Sequence, residues 1–142
     1  MEMDNMEATL ALYMNTTALA FLGDAVFETY VRNYLVLTMK ADADKLHRAA
    51  VKYVRAEAQA QAMKQLLPGL SEEELNLVKR ARNKKISTKP KNADPVLYKW
   101  ATAFEALIGY LYLSGDKVRM EEIITESMES VKQSNGQKTS SK

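Results

Sequence analysis

The sequence predicts an all-α, single-domain protein. Three observations lead there. Apolar residues recur at helical spacing along most of the chain, no stretch alternates apolar and polar residues between hairpin turns, and helix start and stop signals follow one another closely. A chain of 142 residues, 46% hydrophobic and 27% charged, has the composition of a globular domain and can bury roughly two thirds of its unfolded surface.

A first helix is expected from Thr16 or Thr17, whose hydroxyl can cap the exposed amides, to about Leu37. Leu19, Leu22, Val26, Tyr30, Asn33 and Leu37 would form its apolar face, with Ala20, Asp24, Glu28 and Arg32 opposite. A second helix should begin near Asp44, bury Leu46, Ala50, Tyr53, Ala60 and Leu67, and stop at Pro68-Gly69. The third opens on Ser71-Glu72-Glu73-Glu74, a capping box in which the serine and the glutamate three residues on satisfy each other's amides. Asp94-Pro95 starts the fourth, because proline's missing N–H costs nothing at the first helical position, and Gly115 ends it. An amphipathic segment from Asp116 to about Val131 follows. The reading divides the chain into a domain over 1–132 and a polar tail over 133–142 that buries too little surface to order itself.

Composition removes several chemistries. With no cysteine there are no disulfides, thiolate zinc sites or cysteine nucleophiles, and a single histidine, His47, argues against a serine–histidine–aspartate hydrolase or a multi-histidine metal site. An enzyme built from this chain must work through oxygen ligands. The first 31 residues carry no lysine or arginine, unlike a secretory or transit leader, so a cytoplasmic location is expected. The longest uncharged stretches fall short of the roughly 18–20 apolar residues that a membrane span needs, and no membrane partner is expected.

Two acids stand alone. Asp24 is the one charge between Ala8 and Phe27, and Glu105 the one charge between Trp100 and Leu113, each amid residues that read as core. A buried unpaired carboxylate costs several kcal/mol, so such groups are paired, protonated or bound to a cation. Solvent exposure or a salt bridge is the commoner explanation for either acid alone; two together suit a hard divalent cation such as Mg²⁺. Gly23 and Ala25 beside Asp24, and Ala106 and Gly109 after Glu105, would let helices approach closely. Glu28, one turn beyond Asp24, is read as a partner of Arg32.

The near-neutral net charge of +2 hides a polarised chain. Lys79, Arg80, Arg82, Lys84, Lys85, Lys89 and Lys91 fall within thirteen residues that contain no acid, whereas Asp116 to Val131 carries five acids and two bases. The helix macrodipole accounts for bases up to Lys85 at the end of the third helix, but not for Lys89 and Lys91. A second stripe, Lys45, Arg48, Lys52 and Arg55, is explained by a solvated helix face. The tract holds no aromatic residue, so contacts to a duplex backbone suit it better than base stacking.

Leu19-Ala20-Phe21-Leu22-Gly23-Asp24-Ala25-Val26 resembles the signature helix of the ribonuclease III family, and Phe104-Glu105-Ala106-Leu107-Ile108-Gly109 resembles its later Glu-Ala-Leu-Ile-Gly element. The resemblance spans Thr17 to Leu113. The chain leaves no room for the family's usual double-stranded-RNA-binding domain, so it resembles the compact Mini-III branch, as do Arg80-Ala81-Arg82-Asn83-Lys84 and the Pro90-Lys91-Asn92 loop. Ala20 and Thr102 stand where full-length members carry a glutamate and an aspartate.

The resemblance implies a ribonuclease III-like helical bundle acting as a homodimer. It implies Mg²⁺-dependent hydrolysis of double-stranded RNA, with Mn²⁺ able to substitute, leaving a 5′-phosphate. Asp24 and Glu105 would be the catalytic metal ligands, and Arg80, Arg82, Asn83, Lys84, Lys85, Lys89 and Lys91 the RNA-binding residues. Precursor large-subunit (23S) ribosomal RNA is the implied substrate. The competing reading is a catalytically silent RNA-binding or scaffolding relative. Phe21, Phe27, Tyr30 and Tyr34 are more aromatic surface than one small core accepts, which fits a dimer.

Overall fold

The computed structural model describes residues 5–85 and 90–140. Seven α-helices and one 3₁₀ turn, with no strand among the described residues, form the all-α fold that the helical periodicity predicts: α1 Ala8–Leu12, α2 Thr16–Thr38, α3 Ala43–Val54, α4 Ala56–Leu66, the 3₁₀ turn Leu67–Gly69, α5 Glu72–Asn83, α6 Pro95–Leu113 and α7 Lys117–Ser140. The most apolar helix, α6, lies at the centre. Helices α2, α4 and α5 pack directly on it, and α3 and α7 close the outside.

Local chemistry explains most of the ends. Ser71 and Glu74 form the expected capping box of α5, and Asp94 caps α6 by accepting from the amides of Val96 and Leu97. Gly115 leaves α6 with φ +80°, a conformation that favours glycine. At the start of α2 the cap is Asn15 rather than a threonine hydroxyl; its Oδ1 accepts from Thr17 N at 2.8 Å.

Three expectations need correction. The expected second helix is two, α3 and α4, because Arg55 is extended (φ −64°, ψ 151°). No glycine or proline marks that break; it lets α3 lie on α2 while α4 turns onto α6 and α7. The buried line of α2 is Leu19, Gly23, Phe27, Val31 and Leu35, with Thr16 and Ala20, whereas Leu37 is exposed and Leu22, Val26 and Tyr30 are only partly buried. The helix packs through its small residues, which a count of large apolar side chains overlooks. Finally, α7 continues to Ser140, beyond the end of its apolar pattern; Val131 is its last buried described side chain.

Packing follows from this arrangement. Phe27 meets Phe104 edge-on with ring centroids 5.0 Å apart, and Leu107, Ile108, Leu77, Met63 and Ile123 fill the centre around them. Tyr30 and Tyr34 are partly buried with polar partners: the Tyr30 hydroxyl donates to Glu121 at 2.9 Å, and Lys132 sits over the Tyr34 ring at 4.3 Å. Only Phe21 of the four aromatics is left on the surface, 83% exposed. No helix among the described residues is long and apolar enough to cross a membrane.

Candidate metal and nucleic-acid site

Helices α2 and α6 touch backbone to backbone at two reciprocal points. A Cβ on Gly23 would lie 1.8 Å from the Glu105 carbonyl oxygen, and one on Gly109 would lie 1.9 Å from that of Leu19. Glycine inside a helix costs about 1 kcal/mol relative to alanine, and here it allows a contact that any side chain would block. That contact brings Asp24, the residue after Gly23, against Glu105.

The two carboxyl groups share a hydrogen bond. Glu105 is partly buried, and burial first, then the hydrogen bond and the charge of Asp24, push its pKa up to about 9. Glu105 therefore holds its proton near neutrality. Asp24 is exposed, not buried as its uncharged neighbours suggest, so the site is open to solvent from the α2 side. Paired acids at one spot, one forced to keep a proton, are a site short of positive charge.

Gln59 of α4 completes the surroundings. Its amide lies close enough to Glu105 to favour the charged form, and its side chain is 3% exposed. The sequence reading missed it because glutamine on an alanine-rich helix carries no charge signal; only the packing of α4 onto α6 reveals it. Ala20 is buried, and the Thr102 hydroxyl donates to the Tyr98 carbonyl at 2.8 Å in its own helix, so neither position adds charge. Among the described residues no group of three or more acidic, histidine or cysteine side chains converges. Glu28 pairs with Arg32 at 2.7 Å, as expected. The donor set is thus two carboxylates with room for water, which fits a hard cation that keeps part of its hydration.

The basic tract is partly tied down. Arg80 donates to the carbonyls of Leu12 and Met14, and Lys84 Nζ donates to Asn15 Oδ1 and Thr17 Oγ1, both at 2.9 Å. Arg82 lies over the ring of Trp100 at 4.9 Å and donates to Asn83 Oδ1, while Lys64 reaches the same ring at 5.7 Å. Lys79, Lys85 and Lys91 are exposed, and Lys89 lies outside the described residues. The stripe Lys45, Arg48, Lys52 and Arg55 is a solvated face, as expected. The fold supplies an aromatic partner, Trp100, that the tract itself lacks.

Known proteins resemble this chain. Residues 17–116 match the Ribonuclease III domain. The chain is 51% identical over 113 residues to the Mini-ribonuclease 3 of Brevibacillus brevis, covering 80% of this chain and 84% of that protein. It is 46% identical over 124 residues to the Mini-ribonuclease 3 of Enterococcus faecalis, covering 86% and 94%. A crystal structure of a Fusobacterium nucleatum protein superposes with a TM-score of 0.74 at 33% identity, covering 82% of this chain and 93% of that one. A match that runs through both helices of the carboxylate pair, with relatives this similar over most of their length, makes the chain a member of the ribonuclease III domain family.

Proposed function

We propose that this endoribonuclease, acting on double-stranded RNA, hydrolyses phosphodiesters with Mg²⁺ held by Asp24 and Glu105 and leaves a 5′-phosphate, Mn²⁺ serving as a substitute. The meeting of the two carboxyls across the Gly23–Glu105 contact is the observation that carries this reading. When bound, the divalent ion supplies the charge that polarises the phosphate and activates water. Asp24 offers an exposed oxygen, and Glu105 gives up its proton to complete the pair. Lys85 and Lys91 meet the phosphate backbone from exposed positions, Lys89 adds its charge to the tract, and Arg82, which rests on Trp100, acts with Asn83; Arg80 and Lys84 also hold α5 against the α1–α2 turn.

The catalytic unit is 1–132, with 133–142 a polar appendage. It works as a cytoplasmic homodimer through the face that displays Phe21, one turn from Asp24, and its substrate is precursor 23S ribosomal RNA. Purified protein with a structured RNA duplex should cleave internally only when Mg²⁺ or Mn²⁺ is present, and Asp24→Asn should abolish cleavage while duplex binding stays. Binding without cleavage under every metal condition would instead establish the silent, RNA-binding alternative.

A further inference from the structure

Among the described residues, the Gln59 Nε2 is a buried side-chain polar atom with no hydrogen-bond partner. An unsatisfied buried amide destabilises the fold, and a methionine or leucine would fill a similar volume without that cost. The neighbours offer no reason for polarity: Ala58, Ala60, Ala62 and Met63 are all buried apolar groups of the same helix. Gln59 lies close enough to Glu105 to influence its carboxyl. Its amide acts on that carboxyl in the direction that favours the charged form, while Nε2 has no partner of good hydrogen-bond geometry.

We propose that Gln59 is a positioning residue of the carboxylate pair: its Nε2 donates to one Glu105 oxygen and so fixes the other toward the cation and Asp24. The role rests on the assignment of Asp24 and Glu105 as cation ligands. Second-layer hydrogen bonds of this kind orient ligating oxygens, and their loss typically costs 10–100-fold in metal affinity or activity. In a site with only two carboxylates, the orientation of each decides more than in a site with four.

The test uses the full chain, with Mn²⁺ alone titrated by calorimetry and duplex RNA cleavage resolved into kcat and KM. Gln59→Met, equal in length and without a donor, should bind Mn²⁺ about tenfold more weakly and lose about 10–100-fold in kcat. Its KM for duplex should stay within about twofold and its thermal midpoint should hold or rise, because an orphaned polar group is gone. Gln59→Leu, which lacks both donor and acceptor, should at saturating Mn²⁺ keep a kcat as low as that of Gln59→Met. Wild-type Mn²⁺ affinity in Gln59→Met, with or without a fall in thermal midpoint, assigns the residue to packing and overturns the proposal. Wild-type kcat in Gln59→Leu also overturns it, since the amide donor would then not be what matters. Asp24→Asn run alongside separates the two readings: if it loses Mn²⁺ binding while Gln59→Met does not, only the role of Gln59 falls, and if it binds Mn²⁺ normally the ligand assignment fails and the Gln59 role with it.

Discussion

Gly23 of α2 faces the backbone carbonyl of Glu105 in α6 so closely that a single added carbon would stand 1.8 Å from the oxygen. The residue that lets the helices touch is the immediate neighbour of Asp24, so close packing and juxtaposed carboxyls are one structural event. Pushing the helices apart must therefore separate the acids.

Gly23→Ala is expected to destabilise the fold by about 1–3 kcal/mol or more, the usual cost of forcing extra carbon into a packed interior, and to remove cleavage activity even where the protein still folds. Gly109→Ala should do the same through the Leu19 carbonyl. Gly69→Ala is the control, because a Cβ there meets nothing within 4 Å. Urea unfolding of the three variants, with duplex cleavage measured on each, checks the ordering. A Gly23→Ala protein of wild-type stability and activity would refute the account of the contact.

The raised pKa of Glu105 makes stability depend on pH in a defined direction. Unfolded, the group ionises near 4.5; folded, near 9. Between these values the native state binds a proton that the unfolded state has lost, so its contribution is complete below about 4.5, declines as pH rises and is gone above about 9. In chelator, the urea midpoint should fall from pH 5 to pH 9 by an amount that Glu105→Gln abolishes. Mn²⁺ affinity should rise over the same range, because binding must displace that proton. A flat midpoint in the wild-type chain would exclude the shift.

Much of the site was legible because charge is conspicuous in an apolar helix. Asp24 and Glu105 stand out against their neighbours, and Gly23 and Gly109 signal close approach. Gln59 and Trp100 were not legible: neither is charged, and each is set beside Glu105 or Arg82 only by the packing of one helix on another. For the same reason the buried face of α2 departs from its line of large apolar residues: Gly23 is buried by backbone proximity rather than by side-chain size. The break at Arg55 left no local trace, because an extended residue without glycine or proline is imposed by the packing on either side of it.

Arg119 tests the opposite side of the fold. Its Nε and Nη2 donate to the two Glu74 oxygens at 2.8 Å each, Nη2 also reaches the Gly69 carbonyl, and Glu74 is buried. Burial pushes the Glu74 pKa up, but the Arg119 hydrogen bonds and the Ser71 amide outweigh it and hold the group below its ordinary value. Arg119→Met should cost about 3–5 kcal/mol by leaving a carboxylate buried without its partner, and Glu74→Gln on that background should restore part of the loss. For the wild-type pair, the stability present above the ordinary carboxylate value should be lost as pH falls through the lowered one. Thermal unfolding across a double-mutant cycle measures the coupling.

The basic tract should divide by what each side chain already holds. Lys85 is exposed, so Lys85→Ala should weaken duplex binding, reduce its salt slope by about 1 and leave stability unchanged. Arg80→Ala and Lys84→Ala should lower stability as well, because each releases carbonyl or cap oxygens at the α1–α2 turn. Arg82 differs again: its guanidinium rests on the chain's one tryptophan, so moving it onto a phosphate must change the surroundings of Trp100. Duplex RNA should therefore alter the intrinsic tryptophan fluorescence of the wild-type protein and barely alter that of Arg82→Ala at equal saturation. An identical change in both would show that Arg82 stays on the ring and takes no part in binding.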